Sequence, residues 1–240
     1  MHHPEPDGQV VPKLCESCEA RHRGVCGALP GDDLLRLSKI SVRKTLKSGE
    51  SVVCDEDDVI SFSNVLNGVV KLSKLLPDGR QQIVGLQFAP DFLGRPFRAE
   101  SHLTAEASGD VHLCSFPRAE FESMMRDNPE LEHRILAQTL EQLDEARDWM
   151  MTLGRKTARE KIASYLLMIA RHSAPQPPSG QGVAIDLPLS RGDMADFLGL
   201  TIETVSRQMT ALRKAKVIEF DSARAVRIPS LRALERAAGE

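Results

Sequence analysis

From Glu130 to Leu153 the chain carries neither glycine nor proline, and Leu136, Thr139, Leu143, Ala146, Met150 and Leu153 recur at steps of three or four. That period is helical, and at about 1.5 Å per residue the run makes a helix roughly 35 Å long. Glu141, Asp144, Glu145, Arg147 and Asp148 flank the stripe, so its apolar seam is narrow. A narrow seam of this length suits pairing with a second copy of the same helix, which makes a homodimer; the alternative is that the helix only covers a neighbouring β-domain. Either way the helix splits 240 residues into a front and a back, and two domains is the expectation for that length.

The front reads as a small all-β unit. From about Val42 to Phe116 short runs such as Ser51-Val52-Val53, Val69-Val70-Lys71-Leu72 and Gln82-Ile83-Val84-Gly85-Leu86 alternate with turn residues, and Leu76-Pro77-Asp78-Gly79-Arg80 reads as a hairpin connection. Before it, residues 1–13 are polar and proline-bearing and are expected to be mobile. Gly31-Asp32-Asp33 offers an N-cap for a short helix carrying Leu34, Leu35, Leu37 and Ile40. Behind the long helix, a further helix is expected over about Arg155–His172, followed by a breaker-rich loop from Ser173 to Gly182.

Charge is divided in the same way. Residues up to Leu153 carry 17 Lys and Arg against 25 Asp and Glu, a net of −8, whereas Gly154 onward carries 14 against 9, a net of +5. A basic back half favours nucleic acid as its partner. The chain lacks the roughly 18 consecutive apolar residues of a membrane span, and Met1-His2-His3-Pro4-Glu5-Pro6 has no signal-peptide character, so a cytoplasmic location without membrane contact is expected.

In that compartment thiols stay reduced, and the five cysteines read as metal ligands, reactive thiols or core residues before disulfides. Cys15, Cys18 and Cys26 fall in one short stretch with Cys-x2-Cys-x7-Cys spacing, and Cys54 and Cys114 lie in the β-unit. Cys54 is expected to be a small buried residue. Thiolates are soft anionic ligands for iron or zinc. A zinc site from Cys15, Cys18, Cys26 and either His22 or Cys114, a metal-free thiol switch and a purely structural role are the alternatives. Arg21, His22 and Arg23 between the ligands either offset thiolate charge or face solvent.

Leu189 to Leu212 has the pattern of a helix-turn-helix. Ser190 caps the first helix and Thr201 the second, Gly199 makes the turn, Ala195 permits a close crossing, and Met194, Leu198, Val205 and Leu212 point inward. Glu203, Thr204, Ser206, Arg207 and Thr210 are left on the outer face near the start of the second helix, where base edges are read. Arg207 suits the two acceptors of guanine and Glu203 the amino group of cytosine. Val217–Phe220 and Ala225–Ile228 read as a two-stranded wing with Arg224 reaching the DNA backbone. Nothing in the chain matches a nucleophile elbow, a His-Glu-x-x-His pair or a phosphate loop, so an enzyme, such as a small metal-dependent hydrolase, is not expected.

Helix pair and wing behind a β-domain and a long helix resemble the Crp/Fnr family of bacterial regulators over nearly the whole chain. Glu203-Thr204-Val205-Ser206-Arg207 is similar to the Glu-x-x-Ser-Arg pattern of the Fnr branch, and Leu153–Ala163 looks like its FnrL-type members. The resemblance implies an α+β fold: a cysteine-rich cluster-binding segment over 1–29, a cyclic-nucleotide-binding-like β-roll sensor over 30–128, a dimerisation helix over 129–153 and a winged helix-turn-helix over 154–240. It implies a homodimer on double-stranded DNA with palindromic TTGAT-like half-sites, RNA polymerase as a further partner near Phe97–His102, and a 4Fe–4S cluster on Cys15, Cys18, Cys26 and Cys114 that confers a response to oxygen. The second cysteine gap is x7, as in the FnrL-type pattern, where the enteric Fnr has x5. A cyclic nucleotide is not expected, because Gly94 is followed by Arg95 where that branch has Glu, and no Arg-Ser pair follows. A same-fold regulator without a cluster, constitutive or switched by zinc or thiols, is the rival.

Overall fold

The computed structural model describes residues 11–174, 182–222 and 224–240. The expectations for residues 1–10, and for 175–181 of the breaker-rich loop, lie outside the described residues. Contacts gather the chain into two units: residues up to Lys74 with Leu86–Gln142, and Leu75–Gly85 with Leu143–Glu240.

The first unit begins with 3₁₀ turns at Lys13–Cys15 and Val25–Ala28 on either side of a short helix α1 (Glu19–His22), followed by α2 (Gly31–Ile40). Pro30, not Gly31, is the residue at the N-cap of α2, and it makes no side-chain cap; Asp32 and Asp33 instead sit inside the first turn, where their negative charge interacts favourably with the helix dipole. Eight strands follow: β1 (Val42–Leu46), β2 (Ser51–Val53), β3 (Ser61–Asn67), β4 (Val69–Leu75), β5 (Gln81–Phe88), β6 (Phe92–Leu93), β7 (Thr104–Ala107) and β8 (Val111–Pro117). They form two four-stranded sheets, ordered β1-β8-β3-β6 and β2-β7-β4-β5. Helix α3 (Arg118–Asp127) and the long α4 (Pro129–Arg155) complete the series.

Side-chain alternation decides what each face of the first sheet carries. Val65, Val111 and Leu113 meet Val70, Ala105 and Ala107 of the other sheet in a shared apolar core. Phe62 and Phe116, directly opposite each other on β3 and β8, lie on the reverse face. There they join Phe92, Phe121, Leu34, Leu37, Val25 and Leu131, so α2, α3, the start of α4 and the cysteine-bearing segment cover that face. Phe116 and Phe121 pack with their rings tilted by 33° and centroids 4.7 Å apart.

Cys54 corrects its expected burial, because it is exposed. It follows β2 in a surface turn where its backbone N–H donates to the Asp57 carboxylate at 3.0 Å, and a turn has no core face on which to hide a thiol.

In the second unit α5 (Ala158–Ser173) starts later than its periodicity suggests, because Thr157 and Glu160 form a capping box that fixes the first turn. It packs against α8 (Leu231–Ala238) and α7 (Ile202–Lys214). Strand β9 (Val183–Asp186) precedes α6 (Arg191–Leu198), and β10 (Glu219–Phe220) and β11 (Ala225–Ile228) follow α7. The wing is therefore three-stranded, ordered β10-β11-β9, and not the two-stranded ribbon expected. β9 escaped notice because only four residues alternate, directly behind a breaker-rich loop.

Ser190 caps α6 by accepting from Asp193 N–H at 3.0 Å, and Thr201 caps α7 by accepting from Thr204 N–H at 3.2 Å. Gly199 ends α6 in the left-handed conformation with φ 62°, and a Cβ built there meets nothing within 4 Å. Any cost of adding one is therefore conformational. Gly199→Ala should lower stability by about 1–2 kcal/mol in urea unfolding without disturbing the fold; no loss would mean that the turn does not need glycine.

Candidate metal centre and nucleic-acid interface

Cys15, Cys18, Cys26 and Cys114 line one cavity of about 50 Å³, together with Ala20, Arg21, Ser41, Arg43, Asn64 and Phe116. Sequence distance is closed by two devices. The two-residue period of β8 sends Cys114 to the face opposite Leu113, under the N-terminal segment. That segment is fixed in turn by Ala20 and Val25, both fully buried, and by Gly24, whose added Cβ would stand 2.9 Å from the Pro90 carbonyl oxygen.

The register surrounds Cys114 with polar neighbours: Arg43 is its partner on β1 and Asn64 its partner on β3. Asn64 Nδ2 donates to Cys26 Sγ at 3.2 Å. Burial raises the thiol pKa of Cys15, Cys26 and Cys114, and Cys26 reaches about 12; charge on the sibling sulfurs raises each further. Arg43 opposes the shift at Cys15 and Cys114, and Arg21 at Cys15. Cys15, Cys26 and Cys114 are poor anions here as bare thiols, and a cation among them would relieve both burial and mutual repulsion.

Among the described residues no group of three or more His, Cys, Asp or Glu is arranged to hold a metal ion as it stands. The donor set is nevertheless all sulfur, as soft-metal chemistry requires. His22, the alternative fourth ligand, is absent from the lining and its Nε2 lies 3.0 Å from the Glu16 carbonyl. Sequence reading missed Asn64 and Arg43, which sit opposite Cys114 in the pairing, and Arg134 of α4, which donates to the Arg23 carbonyl between Cys18 and Cys26.

On α4, Leu136, Leu143 and Met150 are 54%, 43% and 70% exposed in the single chain, Thr139 is exposed, and Ala146 and Leu153 are half-buried. Leu140 and Met151, each 52% exposed, belong to the same apolar face and were not picked out from the period alone. A second cavity of about 580 Å³ opens between the β-strands and the first turns of α4, with Leu72, Phe92, Gly94, Arg95, Ser101 and Gln142 in its lining.

In α7, Val205, Met209 and Leu212 are buried, which leaves Glu203, Ser206 and Arg207 exposed and Thr204 and Thr210 half-buried. The Glu203 carboxylate is held below its ordinary pKa by its own backbone N–H at the helix start and by the Thr201 hydroxyl, so it is a ready acceptor. Arg207 Nη2 reaches the Thr204 hydroxyl at 3.5 Å. Arg224 is exposed beside the wing. Phe220 of the wing lies between two guanidinium groups, Arg191 and Arg213, each 5.7 Å from its ring centroid. Both arginines were overlooked: Arg191 lies on α6, and Arg213 is exposed near the C-terminal end of α7, away from the helix start where base contacts were sought.

Residues 160–237 match the Crp-like helix-turn-helix domain, and 43–128 match the cyclic nucleotide-binding domain. The chain is 52% identical to a "Probable transcriptional activator" of Rhizobium leguminosarum bv. viciae, over 94% of this chain and 93% of that protein. It is 41% identical to transcriptional activator protein FnrL of Cereibacter sphaeroides, over 94% of this chain and 92% of that one. The solved structure of FixK2 from Bradyrhizobium japonicum is 30% identical, with a TM-score of 0.75 over 82% of this chain and 97% of that chain.

Burial and the raised pKa together protect Cys26, whereas Cys54 is in the open. A thiol reacts as its thiolate, and at pH 8 a group with a pKa near 12 is almost wholly protonated. Anaerobic alkylation of the metal-free protein at pH 8, read by peptide mass, should label Cys54 first and Cys26 last; labelling of Cys26 ahead of Cys54 would contradict the closed segment.

Proposed function

The chain belongs to the Crp/Fnr family of transcription regulators, and from that premise we propose that it is an oxygen-responsive activator working as a homodimer in the cytoplasm. That it is a DNA-binding regulator and not an enzyme follows from family membership. No described helix is long and apolar enough to cross a membrane. The finer reading rests on one observation: Cys15, Cys18, Cys26 and Cys114 line a single cavity between the N-terminal segment and β8.

When bound, a 4Fe–4S core would supply iron–thiolate bonds joining that segment to β8, and its loss in oxygen would remove them. Every remaining step is made by the chain. Cys114 anchors the site to a central strand, and Ala20 and Val25 seat the segment in the core. Arg134 links the loop between Cys18 and Cys26 to α4, so order in the loop is felt by the helix. Leu136, Thr139, Leu143, Ala146, Met150 and Leu153 then supply the seam against the second copy. Pairing sets two α7 helices about one DNA turn apart, as palindromic TTGAT-like half-sites require. Glu203, Thr204, Ser206, Arg207 and Thr210 read bases, Arg224 takes the backbone, and RNA polymerase is the further partner.

An all-cysteine donor set suits a single zinc ion as well as an iron–sulfur core, so metal content decides between them. The rival, the same regulator without iron and switched by its thiols or constitutive, is favoured by the raised pKa of Cys26, because a protonated thiol needs no metal partner.

Anaerobic purification should yield iron and sulfide, with operator affinity that falls after exposure to air; zinc in their place, or equal affinity in air and nitrogen, would reject the sensor. Arg207→Ala should weaken specific binding by about 1–3 kcal/mol and relax discrimination at one base, which a titration against operator and mismatched duplexes reads. Met150→Glu places like charges face to face in the seam, costing several kcal/mol. Sedimentation should then show monomers; an unchanged dimer would move the interface elsewhere.

A further inference from the structure

We propose that Asn64 is a positioning residue for the sulfur site, donating an N–H···S hydrogen bond to Cys26 when that sulfur ligates iron and so setting how readily the site is oxidised. The inference rests on the iron–sulfur reading and would fall with it.

Asn64 sits in the middle of β3 with only 1% of its surface exposed, on the face that carries Phe62 and Phe116. Beside the aromatic layer of Phe62 and Phe116, Asn64 lines the cavity that holds Cys26 and Cys114, so its amide faces the sulfur site. Its two polar atoms are treated unequally. Nδ2 donates to Cys26 Sγ at 3.2 Å, while Oδ1 is buried with no hydrogen-bond partner among the described residues. An unsatisfied buried carbonyl lowers stability, and leucine, branched in the same way, would avoid the cost. An amide kept for the fold would satisfy both ends; one kept for its donor needs only the sulfur.

Placement makes the same point. Asn64 is the cross-strand partner of Cys114 and the hydrogen-bond partner of Cys26, so one side chain touches the sequence-distant ligand and the last of the N-terminal three. Arg43 flanks Cys114 from the other side on β1. Hydrogen bonds to ligand sulfurs draw electron density from a cluster and raise its reduction potential. A sulfur engaged in this way gives up electrons less readily, which bears directly on a site that answers to oxygen.

The test compares the wild-type protein with Asn64→Leu, and with Asn64→Ala as a second donor-free variant should leucine fail to fold. Three readouts are taken: thermal melting of the metal-free proteins, midpoint potential after anaerobic reconstitution with iron and sulfide, and loss of visible absorbance in air. Asn64→Leu without metal should melt no lower than wild type, because the unsatisfied carbonyl is gone. Its reconstituted cluster should show a more negative potential and decay roughly tenfold faster. A cluster in wild type whose potential and decay are unchanged in the donor-free variants overturns the inference and leaves the sensor reading standing. A lower melting point with unchanged potential assigns Asn64 to the fold alone. Wild-type protein that assembles no iron overturns the sensor reading and the inference together.

Discussion

β8 turns Leu113 toward one side of its sheet and Cys114 toward the other, and this two-residue period governs the β-stranded unit of the molecule. A slip of one residue would bury Cys114 between the sheets and bring Leu113 under the N-terminal segment. The register against β1 and β3 prevents it, with Phe62 opposite Phe116 locking the aromatic layer. Because the β3–β8 pairing shifts between Val65 and Asn67, the regular stretch that fixes this phase is the one from Ser61 to Val65, beside the cysteines. Strand pairing thus determines the chemistry available at the cavity.

Electrostatics then separates the two ends of the protein. Around the cysteines, burial and repulsion among the sulfurs oppose ionisation, and Arg43 and Arg21 relieve only part of that cost. At α7 the situation is reversed: Glu203 is exposed and held ionised by the first turn of the helix. One site disfavours negative charge, and the other presents it to solvent. On the proposed reading, such a carboxylate would add discrimination at a base that offers a donor, at the expense of affinity.

Much of this was legible in the sequence because it is written in local patterns. The long helix, both caps of the helix pair, the turn at Gly199 and the triplet Cys15, Cys18 and Cys26 depend on residue type and spacing within a few positions, whereas Cys114 joined them only through the family resemblance. What was not legible depends on partners far apart in the chain. Asn64 and Arg43 gain meaning only from a strand register that places them across from Cys114, and Arg134 only from a loop more than a hundred residues earlier. Cys54 was misjudged for a related reason: the tendency of free cysteine to be buried says nothing about whether a given turn has an interior side. β9 was lost because four alternating residues carry too little periodic signal beside a loop.

Residues Leu75–Gly85, the tip of the β4–β5 hairpin, are grouped with the helix-turn-helix and not with the strands they connect. Gln82 Nε2 donates to the Phe197 carbonyl near the end of α6 at 3.1 Å. Neither unit is therefore an unbroken length of polypeptide. Exchange of reader heads between relatives by a single crossover near residue 142 would carry over α6 without the loop its carbonyl is matched to, so such chimaeras inherit a mismatched joint unless both stretches travel together.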